Sequence, residues 1–292
     1  MKSPINPIIV SIMDWVPFVF IDDVCHQMKL ETFQEVSELS DTWSPFGTKH
    51  GEKRRELAFL CRVDGKESSY SIEDRNSRTE LVVADLNLEF DRITQVWCII
   101  TDQLRNRITL EELNRDVLPT VASLAANCEW LNAFNPIFFE AFKNCPGLNK
   151  IIVQEQGEES RDFVTRQVQL GNVQRLTLYG TGGWPEAEIL PKTLETFVKS
   201  ARFNELTYRG VLPNDAELFE LFLERALAGE LKLGARISLN NITFAKSQNL
   251  IRSLCPECRE ASKEIAWRIP NSNRRVAVEQ CNGTFSMEVR RI

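Results

Sequence analysis

Three short segments of similar shape in the second half of the chain constrain its fold most strongly. They are residues 148–153, 173–178 and 203–208, and their first residues lie 25 and 30 positions apart. Each has an apolar residue, two polar residues, another apolar residue and a further one two places on, which is typical of a strand with one buried face. Helices are predicted before and after the third segment, over 193–201 and 218–228. Strands and helices therefore alternate here, which predicts an α/β fold.

A strand that recurs every 25 to 30 residues with helices between indicates a leucine-rich-repeat-like solenoid. Each unit of such a fold buries its apolar face only by stacking on its neighbours. The alternative is an ordinary α/β domain whose parallel strands look alike. From about residue 262 the pattern changes to strict alternation, with turn signals at Pro270 and Asn282-Gly283. This predicts antiparallel hairpins that cap the edge of the solenoid.

A second feature is an amphipathic segment near the start of the chain, from Val16 to Trp43. Its apolar residues recur at spacings of three and four, which predicts two short helices with one buried stripe. The stripe consists of Ile21, Val24, Met28, Phe33, Val36 and Leu39. So short a segment buries little core of its own, so the stripe docks either on a partner or on the rest of the chain.

This segment resembles an F-box. Val16-Pro17 stands where the motif has Leu-Pro, and Trp43 stands at its late Trp, although residues 40–42 are not basic as the motif usually has them. The resemblance implies docking on the Skp-type adaptor and cullin complex of a ubiquitin ligase. It implies a non-catalytic substrate-recognition subunit, not an enzyme, whose repeat body binds an unknown protein target. The residues implied in the adaptor contact are Val16, Pro17, Phe20, Ile21, Val24, Met28 and Leu30. The alternative is an interaction module unrelated to ubiquitin, with the helical head packed on its own body.

The two ends of the chain also resemble a large nematode-specific family with a short F-box-like head and a degenerate repeat body. The likeness rests on the opening at residues 13–17, the run Phe219–Leu231, the residues after Leu254 and the strand around Trp267. It implies an F-box-like helical segment over 13–50 and a leucine-rich-repeat-like α/β domain over 51–292. The fold class predicted is therefore α/β, with a short helical F-box-like head, a leucine-rich-repeat-like α/β solenoid and a C-terminal antiparallel β cap.

The composition limits the kinds of partner and the cellular compartment that we expect for this chain. The chain has 292 residues and a net charge of −6, which argues against a nucleic-acid surface as its main task. Its eight cysteines have no framework spacing, so we expect free thiols in a reducing compartment, the cytoplasm or the nucleus. The apolar stretch from Pro4 to Ile21 contains three prolines and Asp14, so we expect neither a signal peptide nor a membrane anchor.

The candidate chemistry is sparse. Cys255 and Cys258 form a C-x-x-C without a second ligand pair, and we interpret them as thiols at a helix end. The loop after Gly180 lacks the Lys of a phosphate loop. His26 and His50, the only histidines, fall in the helical stripe and in a polar connector over 41–55. We therefore predict no catalytic constellation, metal site or cofactor.

Overall fold

The computed structural model of the protein describes residues 16–28, 30–99, 104–180, 189–210, 215–240, 264–269, 271–281 and 284–292. The chain divides after Cys128 into two compact units. No described helix is long and apolar enough to cross a membrane.

The first unit contains helices at its start and end and five strands between them. Its helices are α1 (Phe18–Gln27), α2 (Phe33–Ser37), α3 (Ser44–Lys53), α4 (Leu110–Glu112) and α5 (Leu118–Ser123), with a 3-10 turn at Leu30–Thr32 and a π turn at Leu113–Val117. Its strands are β1 (Glu56–Asp64), β2 (Glu67–Asp74), β3 (Glu80–Leu81), β4 (Arg92–Cys98) and β5 (Asn106–Thr109). Strand β1 pairs with β2 antiparallel and with β4 parallel, while β3 and β5 pair with β2. Gly65 makes the β1–β2 turn with a φ of +62°, as its position in an Asp-Gly turn predicts.

The three N-terminal helices enclose a small core of their own. Its fully or nearly fully buried members are Ile21, Cys25, Phe33, Val36 and Trp43. Helix α3 lies where the sequence predicts a polar connector, so that prediction is wrong. Pro45 lies in the first turn of α3, where proline is favoured, and the buried residues of this helix are Gly47 and His50. Gly47 lets α3 approach α2, since a Cβ there would lie 2.6 Å from the backbone nitrogen of Ser37.

The second unit alternates strands with helices and ends in three antiparallel strands. Its strands are β6 (Trp130–Ala133), β7 (Lys150–Gln154), β8 (Arg175–Tyr179), β9 (Glu205–Arg209), β10 (Arg236–Asn240), β11 (Glu264–Arg268), β12 (Arg274–Cys281) and β13 (Thr284–Arg291). Its helices are α6 (Pro136–Phe142), α7 (Glu158–Leu170), α8 (Ile189–Lys199) and α9 (Asp215–Leu227). Strands β6 to β10 are parallel and pair in chain order. Strand β13 then pairs antiparallel with β10, β12 with β13, and β11 with β12.

The helices of this unit cover one face of its sheet. Alternate residues on each parallel strand, such as Leu131, Ile151 and Leu206, are fully buried. Helix α9 packs on this apolar face, where the rings of Phe219 and Phe285 meet at 5.0 Å. Helix α7 is tied to α6 by Gln167, whose side-chain amide donates to the carbonyl oxygens at the end of α6. Apolar burial on this single face stabilises the α/β layer.

The predicted architecture of an F-box-like head followed by a leucine-rich-repeat-like solenoid over 51–292 is wrong. Residues 56–109 form a largely antiparallel sheet, and helices α1 to α3 belong to the same compact unit as those strands. The structure is a mixed α/β fold in which strand–helix alternation is confined to β6–β10. The physical reason is that the repeated pattern only predicts strands with a buried face. Strands of this kind occur in any parallel α/β sheet, not only in a solenoid. The sequence alternative of an ordinary α/β arrangement accounts for the same residues.

Candidate functional site: a polar sheet face and a buried histidine network

Helix α1 and helix α3 bring the two histidines of the chain together. The Asp22 carboxylate lies 3.2 Å from Nε2 of His26 and 3.0 Å from Nε2 of His50. The two imidazole rings stand edge to face, 4.8 Å between centroids. Sequence analysis placed these histidines in different elements and missed the cluster. The spacing of Asp22 and His26, four apart on a helix, is the one local signal that was present.

Two arginines fix the protonation of these rings. Arg54 lies 3.3 Å from Nδ1 of His50, and Arg92 contacts Nδ1 of His26. A guanidinium only donates, so each Nδ1 is assigned as the acceptor and each Nε2 carries the proton that it donates to Asp22. Arg54 also donates to the carbonyl oxygens of Cys25 and Met28, at 2.9 and 2.5 Å, and so caps the end of α1.

The donor set of this cluster does not fit a metal ion. Asp22, His26 and His50 could each offer one ligand atom, and those atoms lie within 4.8 Å of one another. A histidine that binds metal through Nε2 has its proton on Nδ1 and donates that proton to an acceptor. Here both Nδ1 atoms face guanidinium groups, so the lone pair that a metal needs on Nε2 is occupied by a proton. We interpret the cluster as a structural network that holds α1 against the rest of its unit.

The electrostatics of the network favour neutral histidines. Burial, and then the neighbouring positive charge of Arg92, lowers the pKa of His26. Burial also lowers the pKa of His50, with Arg54 acting in the same direction and Asp22 opposing it. Burial alone would raise the pKa of Asp22, but the hydrogen bond from His50 and the charge of His26 hold it below its ordinary value.

We expect the first unit to lose stability in mild acid because of these histidines. Their folded pKa values lie below the ordinary 6.5, so the unfolded chain takes up protons first. The stabilising contribution is complete above that pH and falls as the pH drops below it. The contribution of Asp22 is fully present over this range, because its lowered pKa means that it is lost only as the pH falls below the ordinary value of 3.8. Thermal unfolding followed from pH 7.5 to pH 5 should show a falling midpoint. The His26→Gln and His50→Gln double variant should show a clearly flatter pH dependence, and an unchanged dependence would contradict the network.

The structure places the residues predicted to contact an adaptor in several environments. Ile21 is fully buried in the core of its own helices, so it is not available to a partner. Val16, Val24, Met28 and Leu30 are partly buried against that core. Pro17 is exposed, and Phe20 is 54% exposed beside Phe18 and Val19. The stripe is therefore chiefly an internal packing surface. The C-x-x-C at residues 255–258 and the loop over 181–188 lie outside the described residues.

The other face of the sheet in the second unit carries polar and aromatic side chains, together with Ile152, in three rows across neighbouring strands. One row holds Trp130, Lys150, Arg175, Glu205 and Arg236. The second holds Asn132, Ile152, Thr177, Thr207 and Ser238. The third holds Gln154, Tyr179 and Arg209, with Phe134 against Tyr179 at 6.4 Å between ring centroids. We call these residues the polar sheet face.

Cations and aromatic rings are paired on the polar sheet face. The Lys150 ammonium lies 3.5 Å from the ring centroid of Trp130, and the Arg209 guanidinium lies 5.0 Å from that of Tyr179. Burial, with the nearby charge of Arg175, lowers the pKa of Lys150, while Glu205 opposes this. Cation–π attraction favours these positions of the two long side chains. The face is therefore partly pre-ordered.

Comparison with known proteins gives no family. No protein family and no curated protein matches the chain. One solved structure that matches is the MycE methyltransferase from the mycinamycin biosynthetic pathway, in complex with Mg, SAH and mycinamycin VI. It covers 94% of this chain and 93% of its own, at 10% identity and a TM-score of 0.25.

The predicted function is not retained. The predictions of an F-box-type ubiquitin-ligase subunit, of a leucine-rich-repeat protein and of a protein that is not an enzyme are contradicted. They rested on an F-box-like head and a solenoid, whereas the described residues form a mixed α/β fold in which Ile21 of the supposed docking stripe is fully buried. With so low a TM-score and identity, the likeness transfers no activity, ligand or residue role to this chain. The function has to be argued from the chain's own surfaces.

Proposed function

We propose that this protein binds a polypeptide partner on the polar sheet face of its second unit. The observation that supports this most is the asymmetry of the sheet. One face is covered by helices α6 to α9 over fully buried apolar residues, while none of the helices described in this unit packs on the polar sheet face. Arg175 and Arg209 are exposed there, and most other members are half-buried.

The composition of the face supports recognition of a protein. Trp, Tyr and Arg are enriched at the energetic centres of protein interfaces, because they offer large contact areas together with polar ends. Trp130, Tyr179 and Arg209 occupy two of the three rows, and Thr177 and Thr207 place hydroxyl groups between them. These side chains offer hydrogen-bond donors and acceptors to the backbone of a bound polypeptide, and their rings offer apolar contact.

The geometry favours an extended ligand over a small molecule. The rows lie across five paired strands at a spacing of about 4.8 Å, which gives a width of roughly 19 Å. The cavities of 570, 440 and 210 Å³ found among the described residues lie elsewhere. The first two are beside β1 and β2 in the first unit, and the third is between α6 and α7. A surface of this width suits a polypeptide segment that contacts several strands.

A bulky side chain at the centre of the polar sheet face should prevent the partner protein from binding. Thr207→Trp places a large neutral side chain in the middle row, whereas Thr196→Trp places the same side chain on the exposed surface of α8. We expect a tagged Thr207→Trp chain to lose a protein that the wild-type and Thr196→Trp chains retain, measured by quantitative mass spectrometry of purified complexes. Equal recovery with all three chains, each confirmed as folded by circular dichroism, would contradict the proposal.

A further inference from the structure

The charges of the polar sheet face point to the chemistry of the partner. On strands β7 to β10 the face carries Lys150, Arg175, Arg209 and Arg236 against one carboxylate, Glu205. The whole chain has a net charge of −6, so positive charge is concentrated on this surface against the overall balance. Resting on the function proposed above, we infer that the partner presents an acidic, extended polypeptide segment.

The closest pair of cations explains why an anion is favoured there. Lys150 and Arg175 are direct neighbours in the register of β7 and β8. Like charges opposite one another on a sheet destabilise it. Glu205 lies on the far side of Arg175, and Arg236 beyond it has a second carboxylate neighbour, Glu288 of β13. Glu205 is therefore the only carboxylate in register beside the pair Lys150 and Arg175 among the described residues. A carboxylate from a ligand between Lys150 and Arg175 relieves this repulsion and forms charge-assisted hydrogen bonds.

A second cation sets the spacing of the ligand. Arg209 ends β9 and pairs in register with Tyr179, which lies four residues beyond Arg175 on β8. Four residues along a strand correspond to about 13 Å, and one strand spacing adds about 4.8 Å across the sheet. The Cα atoms of Arg175 and Arg209 are therefore about 14 Å apart. An extended peptide covers about 13 Å between residues i and i+4, and these point to the same side. The segment therefore carries carboxylates four residues apart.

The sheet surface between Arg175 and Arg209 determines which residue suits the middle of the bound peptide segment. Thr177 and Thr207 are in register between the two ends, and no ion pair of Arg175 or Arg209 is found among the described residues. A small polar residue at position i+2 of the peptide would meet the half-buried Thr207, since Thr177 is only 8% exposed. The isolated cations and the intervening carboxylate differ from the continuous basic stripe that nucleic acids require. A polypeptide is favoured for that reason.

The inference is tested by selecting binders from a displayed random-peptide library on the full-length chain. We expect enrichment of peptides with two acidic residues four positions apart. For a selected peptide, Arg175→Gln with Arg209→Gln should weaken binding roughly tenfold or more, because two charge-assisted contacts are lost. Arg166→Gln with Lys192→Gln is the matched control, since it removes the same charge from exposed positions on α7 and α8 and should leave binding unchanged.

Other outcomes separate this inference from the proposed function. If the selected peptides are not acidic but Thr207→Trp abolishes their binding, the polar sheet face binds polypeptides and the acidic partner is wrong. If single-stranded RNA binds in place of peptides and the two arginine substitutions release it, the surface is a polyanion site and the polypeptide inference is wrong. If no peptide is enriched, or if selected peptides bind all folded variants equally, both proposals fail.

Discussion

Ile21→Asp should unfold the first unit, with a loss of about 4 kcal/mol or more in the free energy of unfolding. Ile21 is fully buried among Cys25, Phe33, Val36 and Trp43. The substitution removes its apolar contacts and places a carboxylate in an apolar core, and both effects destabilise. Urea denaturation followed by tryptophan fluorescence would measure the change, since Trp43 lies in the same core.

The matched control lies two residues earlier on the same helix. Val19 is 74% exposed, so Val19→Asp should change stability by no more than about 0.5 kcal/mol. If Ile21→Asp were as stable as Val19→Asp, the stripe of α1 would be a free surface. The sequence prediction of Ile21 as a contact for a partner would then be right and the packing described above would be wrong.

Arg54→Leu has the second-largest expected effect, a destabilisation of about 3 kcal/mol. The side chain is only 5% exposed, and burial lowers the pKa of its guanidinium to about 10. Its loss removes the side-chain donor to the Met28 carbonyl oxygen and one of two donors to that of Cys25, which still accepts from the Met28 N–H at 3.2 Å. Its stacking over Phe33, at 4.7 Å from the ring centroid, is only partly replaced by Leu. The cost of the lost hydrogen bonds and of the lost stacking exceeds the gain from no longer burying a charge.

Lys53→Leu supplies the comparison for this prediction. Lys53 immediately precedes Arg54 and is exposed; its ammonium lies 5.3 Å from the ring centroid of Phe90, and its charge acts weakly on Glu89. We expect it to change stability by about 0.5 kcal/mol or less. Thermal and chemical unfolding of the two variants should differ clearly. An Arg54→Leu chain with wild-type stability would show that the cap on α1 contributes nothing.

Local periodicity predicted most individual elements but not their assembly. The segments at 148–153, 173–178 and 203–208 form β7, β8 and β9, and the alternation after residue 262 forms antiparallel strands. Helix α3 was missed because Pro, Gly and charged residues dominate its sequence, whereas the packing of Gly47 against α2 is a tertiary contact. The solenoid prediction failed because repeated strands of one pattern do not specify how the sheet around them is built.

The candidate site also has features that local sequence patterns predict and features that they do not. The rows of the polar sheet face follow from alternation along each strand, so their members are readable once the strands are aligned. Their charge balance depends on register between strands, which the sequence does not state. The histidine network joins residues as far apart as His26 and Arg92, 66 positions along the chain. No local pattern predicts a contact of that range.

Site-specific photo-crosslinking tests the central claim, binding on the polar sheet face, most directly. A benzoyl-phenylalanine would replace Tyr179 on that face in one chain and Thr196 on the outer surface of α8 in another. We predict a covalent adduct with a partner protein from position 179 and none from position 196, in cells that express each chain. Adducts from position 196 alone, or the same adducts from both positions, would contradict the account.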